Sequence, residues 1–296
     1  QGISSQSQFS IKMNAKAFRV LSDTLYQNKI GSIVREISCN AIDSHIASGK
    51  RDVPFTVHLP DRFEPWFSVI DYGVGLSREQ VRKIYTTYFE STKDESNDMV
   101  GAFGLGSKTP FSYTDAFTVT SIYNGERTTY SAFIAQNGMP TIAEINTVPS
   151  SDVNGVEIQV PVADSDIYIF AKEVREQLRF FKVKPNFVNG SVEWLTLPTD
   201  NIYKSDFCEI YNSSYNSAFN GVWITQGQVG YPLDYNQVYN ALHKIDFTVA
   251  DFYSQISRFS TVLNFAIGDI EVTASREGIQ YTAYTVNSIK TNLEKV

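Results

Sequence analysis

The spacing of apolar residues divides the chain into an α-rich opening, a run of strands and a mixed final third. Residues 14–28 carry Ala17, Val20, Leu21 and Leu25 at helical spacing with polar residues between, which predicts a first helix. Gly31 separates it from a second helix over residues 31–49, whose Ile33, Val34, Ile37, Ala41 and Ile42 are expected to pack inward. Gly49, followed by Lys50 and Arg51, reads as its C-terminal cap. Residues 53–59 alternate as a strand, and residues 66–70 form another that closes on the turn DYGVG. Ser77, with Glu79 and Gln80, opens a third helix through REQVRKIYTTY. Residues 90–100, ESTKDESNDMV, are the most polar and least periodic part of the first half and read as a mobile loop.

Four strands are expected next, over 117–123, 128–135, 141–148 and 155–162, with hairpin turns marked by Asn124-Gly125 and Asn137-Gly138. An antiparallel meander after an α-rich first third predicts an α/β layered sandwich. Residues 164–182 read as a capped amphipathic helix that either closes the first domain or bridges to the second. From Pro185 onward the character shifts to Asn-, Ser- and Tyr-rich strands such as 221–229, then a helix near 236–243 and a strand over 259–266. The boundary is placed near Val183, giving a first domain at 1–183 and a smaller α+β domain at 184–296. The charged helical run SIKTNLEKV at the end of the sequence leads us to expect that the natural protein continues past Val296.

Composition narrows the function classes. With 42% hydrophobic and 14% aromatic residues, the 296-residue chain can bury a sizeable core and is not a disordered sequence. Lys and Arg number 25 against 32 Asp and Glu, a net charge of -7, so no general affinity for nucleic acid or anionic membrane is expected. Cys39 and Cys208 are far apart with no CxxC or paired-histidine pattern, which fits a reducing cytosolic compartment and neither a disulfide framework nor a zinc site. No apolar run approaches the roughly 18 residues of a membrane span. No signal peptide is visible, and the polar residues 1–10 read as a trimmed end.

Candidate chemistry begins on the second helix. Glu36, Asn40 and Asp43 stand at i, i+4 and i+7 and therefore share a face, which must meet either water or a ligand. Alone, such a stripe is most often a solvated face. Two later glycine-bearing stretches add to it: Asp71-x-Gly73-x-Gly75, then Gly101-x-x-Gly104-x-Gly106-x-Lys108. A carboxylate at a strand end, Asp71, can accept from the exocyclic amine of adenine, and Gly73 and Gly75 let backbone approach the ring. Asn40 offers a neutral oxygen to Mg²⁺, which in phosphate sites takes few protein ligands. Glu36, one turn earlier, stands where it can orient and deprotonate a water aimed at a γ-phosphate. Gly101, Gly104 and Gly106 permit a backbone nest for phosphates that opens into a helix near 107–111, with Lys108 adding charge. Either glycine stretch alone is weak; the ordered set is stronger.

These stretches resemble the boxes of the GHKL superfamily, the Bergerat-fold ATPases. VREISCNAID is similar to the family's N box and DYGVGLS to its first glycine box. VGAFGLGSKTPFSY resembles its second, in which Phe103 and Leu105 lie between the glycines. NGVEIQV resembles the last strand of the nucleotide site, with Val156 where the family commonly has Thr. The resemblance spans residues 14–162 and implies a left-handed-crossover, two-layer α/β sandwich binding ATP with Mg²⁺ under a lid between the glycine boxes. It implies nucleotide contacts at Asn40, Asp43, Asp71, Gly73, Gly75, Lys93, Gly101, Phe103, Gly104, Leu105, Gly106, Lys108 and Val156, with Glu36 as catalytic base. Lys93, in Ser91-Thr92-Lys93, reads either as a lysine reaching the phosphates or as a solvated loop residue. Further on, DIEVTASREGIQ is similar to the middle-domain stretch of the ninety-kilodalton heat-shock chaperone, which implies a γ-phosphate contact for Arg276. The other reading of Arg276 is a surface salt bridge to a nearby carboxylate. Among subfamilies, the compact lid and KTPFSY run most resemble phage rIIA-like proteins.

The resemblance implies a slow, Mg-dependent, ATP-driven conformational switch in which lid closure and domain docking precede hydrolysis. An ATP-dependent homodimer, an unidentified protein partner and a cytoplasmic setting, the host's if phage-encoded, belong to the same expectation. A nucleotide-binding scaffold without turnover is the alternative, kept open by Val156. A histidine kinase is disfavoured because His45, His58 and His243 do not sit in an acceptor helix ahead of the ATP domain. DNA strand passage lacks the basic surplus.

Overall fold

A computed structural model of the chain describes residues 14–86, 106–194, 201–212 and 219–296. The opening helices are α1, Ala15–Thr24, and α2, Lys29–Ala47. Strands β1, Thr56–His58, and β2, Trp66–Ile70, form an antiparallel pair, and α3, Arg78–Thr86, follows. Ser77 and Gln80 start α3 with a reciprocal capping box: the Gln80 N–H donates to Ser77 Oγ at 3.2 Å and the Ser77 N–H to Gln80 Oε1 at 2.8 Å. A 3₁₀ helix at Gly106–Ser112 stands where a helix near 107–111 was expected; Pro110 within it cannot donate the bonds of a longer α-helix. The loop expected at 90–100 lies outside the described residues.

Strands β3, Ala116–Tyr123, β4, Glu126–Ile134, and β5, Pro140–Pro149, form the expected meander. Asn124 and Gly125 both take positive φ, 51° and 83°, as a two-residue hairpin of matching twist requires. The fourth strand, β6, Gly155–Pro161, departs from a simple meander. It returns across the sheet and inserts between β3 and β2. Burial accounts for this, since β6 carries the buried Ile158 and Val160, whereas β5 is largely exposed and serves as an edge.

Helix α4, Ile167–Gln177, is followed by β7, Asn186–Asn189, which pairs parallel to β1. The first sheet therefore has the order β5-β4-β3-β6-β2-β1-β7 and takes its last strand from beyond Val183. A second, five-stranded sheet uses β8, Asn201–Lys204, β9, Cys208–Tyr211, β10, Val222–Gln226, β11, Val229–Pro232, and β12, Ser260–Phe265. Its order is β11-β10-β12-β9-β8, with β10 and β12 parallel. Helices α5, Tyr235–Ile245, α6, Phe247–Ile256, and α7, Ala283–Leu293, complete a mixed α/β chain with two mixed sheets.

Thirteen of the nineteen residues of α2 are buried, too many for one amphipathic face. The helix is enclosed by β2 and β6 of the sheet, by α4 and by the 3₁₀ helix. The expected polar stripe is thus covered by protein rather than by water: Glu36 and Asp43 are buried, and only Asn40 keeps partial access. Apolar side chains of both sheets join in one continuous core, from Phe18 and Phe67 through Phe170 and Leu178 to Tyr231 and Ile279. No helix among the described residues is long and apolar enough to cross a membrane.

Phe170 anchors α4 between the rings of Phe67, 5.0 Å away, and Tyr113, 5.6 Å away. Phe170→Ala is expected to cost about 3–5 kcal/mol, read as a lower denaturant midpoint at unchanged slope; an unchanged midpoint would refute this packing.

Candidate functional site

Helix α2 starts under two caps. Asn28 Oδ1 accepts the Gly31 N–H at 2.9 Å, the local cap its residue type favours. The second cap comes from far along the chain: the Glu277 carboxylate accepts the N–H groups of Gln27 at 3.0 Å and Asn28 at 2.7 Å and the Ser32 hydroxyl at 3.1 Å. A carboxylate at a helix N-terminus also meets the positive end of the helix dipole. Glu277 belongs to a hairpin closed by the bridge between Val272 and Ile279 and by the Gly278 carbonyl accepting from Thr273 at 2.9 Å.

At the tip of that hairpin Arg276 has φ 56°, a conformation that costs a branched or bulky residue free energy and persists where surroundings enforce it. Its Nη1 donates to Glu36 Oε2 at 3.1 Å. The other Glu36 oxygen faces Arg35 Nε at 3.3 Å, and Arg35 Nη2 donates to the Ser275 carbonyl at 2.8 Å. All three ionic side chains are buried. Burial works against the Arg276 charge, but the Glu36 carboxylate outweighs it and holds the guanidinium above its ordinary range. Burial pushes the adjacent Cys39 thiol up to about 12, so it stays protonated at neutral pH. Arg276 is therefore neither solvent-exposed nor on a surface ion pair: its carboxylate partner is Glu36 itself, 240 residues away in sequence.

Eight residues along α2 from Glu36, Ser44 meets the corner that follows β2. Its hydroxyl donates to Asp71 Oδ1 at 2.9 Å and accepts the Val74 N–H at 3.1 Å, and the Gly73 N–H reaches the same carboxylate oxygen at 2.8 Å. Burial pushes the Asp71 carboxyl up to about 6, against the pull of the Gly73 and Ser44 hydrogen bonds. Gly73 and Gly75 are required by the protein's own packing. A Cβ at Gly73 would strike Ser44, and one at Gly75, where φ is +67°, would strike the Ile122 carbonyl. On β6 a Cβ at Gly155 would meet the Asp71 carbonyl, and the Val156 carbonyl accepts the Asp71 N–H at 2.9 Å. His45 pins the same corner. Its Nε2 accepts the Tyr72 N–H at 2.7 Å, which leaves Nδ1–H to donate to the Val53 carbonyl at 2.9 Å. Burial lowers the His45 pKa and keeps this neutral tautomer.

The remaining predicted residues fall as follows. Asn40 lies between Glu36 and Ser44 on the i, i+4, i+8 line, and Asn40 and Ser44 are the two residues between 31 and 45 that are not buried. Asp43 is buried, 1% exposed, off that line. Gly106 abuts the catalytic candidate: a Cβ there would sit 2.7 Å from Glu36 Oε2. Lys108, two residues on, is buried in the 3₁₀ helix that packs on α2. Lys93, Gly101, Phe103, Gly104 and Leu105 lie outside the described residues. Sequence reasoning did not single out Ser44, Arg35, Glu277 or Gly155. Ser44 had a readable signal, one further helical turn beyond Glu36 and Asn40; Glu277 had none beyond its place next to Arg276.

Among the described residues no group of three or more His, Cys, Asp or Glu side chains is gathered to hold a metal by itself. Asn40 carries a neutral amide oxygen, one ligand of the kind a hard divalent cation accepts. From Glu36 to Ser44 the helix rises about 12 Å.

The raised Asp71 value fixes a sign. The folded state holds this proton more tightly than the unfolded chain, so the group's contribution to stability is full below about pH 4 and is lost as pH rises through about 6. Relative to Asp71→Asn, the parent is expected to lose on the order of 2–3 kcal/mol between pH 4 and pH 7, measured by urea unfolding. Parallel pH profiles for the two proteins would contradict the burial assigned to this carboxylate.

No protein-family model matches the chain, and no curated protein shows a significant match to it.

Proposed function

We propose that the chain binds ATP with Mg²⁺ and hydrolyses it slowly, as a conformational switch of the GHKL type most similar to phage rIIA-like proteins. The observation that carries this reading is the line Glu36–Asn40–Ser44 along one helix, with the Asp71 carboxylate at one end and Arg276 at the other. In this reading the seven-stranded sheet with α2 and α4 is a Bergerat two-layer sandwich, and the second sheet with its hairpin is a transducer.

Each group then has a role. Asp71 accepts from the exocyclic amine of adenine. Asn40 offers its amide oxygen to Mg²⁺, which neutralises charge on the phosphates when bound. Glu36 takes the proton of a water whose oxygen bonds to the γ-phosphorus, while the bond to the bridging oxygen breaks and ADP leaves with the electron pair. Arg276 supports the charge that develops on the transferred group. Gly106 and Lys108 extend the phosphate cradle; Lys93, Gly101, Phe103, Gly104, Leu105 and a lid at 90–100 enter on sequence grounds alone, as do pairing of two copies and a protein partner. Both Glu36 oxygens are engaged by arginines, so catalysis requires at least one to shift toward phosphate. That requirement supports slow turnover gated by a conformational step.

The same observation favours a second reading, a nucleotide-binding scaffold in which Glu36 is a structural counter-ion and no phosphate is released. Val156, without a hydroxyl, points the same way.

Glu36→Gln, whose single amide oxygen can still accept from one of the two arginines, is expected to lower turnover roughly 10²–10⁴-fold while ATP affinity changes little. Glu36→Ala should in addition destabilise the fold by about 3–5 kcal/mol, because it strands buried guanidinium charge. Phosphate-release assays at equal nucleotide saturation decide it: an equally fast Glu36→Gln variant refutes the catalytic assignment, and a parent that binds ATP without releasing phosphate selects the scaffold.

A further inference from the structure

The Asp71 corner contains a group whose role the nucleotide reading does not yet use. Ser44 has one hydroxyl hydrogen, and it is committed to Asp71 Oδ1; its oxygen is committed to the Val74 N–H. Oδ1 also takes the Gly73 N–H, so Ser44 and Gly73 meet on one of the two carboxylate oxygens, and the Val156 backbone supplies a further hydrogen bond to the carboxylate. The surrounding backbone is fixed as well. Gly73 has no Cβ to displace the Ser44 hydroxyl, His45 next to Ser44 fixes the Tyr72 N–H, and the Lys50 ammonium holds the Tyr72 carbonyl at 2.5 Å. From the β6 side, Val156 sets an apolar side chain against the corner; its carbonyl accepts the Asp71 N–H and its backbone also hydrogen-bonds the Asp71 carboxylate.

We infer that Ser44 is a positioning residue for base recognition: by occupying Oδ1 and the Val74 N–H together, it holds the Asp71 carboxylate in one rotation, with Oδ2 offered to the amine of a bound base. This rests on the ATP reading and deepens it. A carboxylate fixed in this way accepts from a 6-amino purine and meets a 6-keto purine with lone pair against lone pair. Ser44 acts through Asp71, so its removal frees the carboxylate to turn. The loss then falls on discrimination between bases rather than on affinity in general.

The test is calorimetric titration of the parent, Ser44→Ala and Ser44→Thr with ATP and with ITP, each with Mg²⁺ and under conditions that prevent turnover. The parent is expected to prefer ATP. Ser44→Ala should reduce that preference roughly tenfold, the share of a hydrogen bond to a charged group, chiefly by weakening ATP. Ser44→Thr, which retains the hydroxyl, should keep it, and serves as the readout should the alanine variant fold poorly. An unchanged preference in Ser44→Ala, an equal loss of both nucleotides, or a threonine variant that discriminates no better than alanine would overturn the inference. In each of those outcomes the parent still binds ATP and the nucleotide reading stands; a parent that binds neither nucleotide overturns both.

Discussion

The structure depends on a carboxylate buried between two guanidiniums. Glu36 receives Arg35 from its own helix and Arg276 from a hairpin 240 residues later, and all three are shielded from water. Burying such groups is costly unless each finds a partner, and removing one partner leaves an uncompensated charge. The hairpin is therefore held by more than Arg276. Ser275 offers its carbonyl to Arg35, and Glu277 covers the start of α2. Three consecutive residues, Ser275, Arg276 and Glu277, clamp the first half of one helix. The left-handed φ of Arg276 is the backbone strain that this clamp maintains.

Helix α2 is consequently a structural axis and a chemical one at once. Its apolar residues fill the core between the first sheet and α4, while its polar residues are engaged from two directions, by the hairpin at one end and by the Asp71 corner at the other. Between them Asn40 and Ser44 retain access. A ligand lying along this line would touch groups fixed to both sheets, so its binding free energy could be transmitted to either. Differential contacts of that kind are what a ligand-driven switch requires.

Much of this fold was legible in local pattern. Strand 66–70 and the helices beginning near 14, 31, 77 and 235 have strong periodicity and recognisable caps. The Asn124-Gly125 turn carries its conformation in its residue types. The four-residue strands β7, β8 and β9 are too short for alternation to register, and α6 is apolar enough that its period does not stand out. Local pattern also could not say that β6 would cross back to β2, a choice made by where Ile158 and Val160 find burial. For the site, the spacing of Glu36 and Asn40 identified a helix face but not its cover. What covers it is long-range: Arg276 is bound by Glu36, and Asp43 is buried off the accessible line. The glycines of the first glycine stretch were predicted for ligand approach; they are needed at least as much for contacts with Ser44 and Ile122.

The proposed nucleotide site requires that α2 gather the Asp71 corner and the Ser275–Glu277 hairpin onto one ligand. Hydrogen–deuterium exchange with and without a non-hydrolysable ATP analogue and Mg²⁺ tests it most directly, because it reads both ends of the helix in one experiment. Altered exchange is expected at the Asp71–Gly75 corner and at the Ser275–Glu277 hairpin together, under the same analogue concentration. Unchanged exchange at both segments in saturating analogue, or a change confined to surfaces remote from α2, would contradict it.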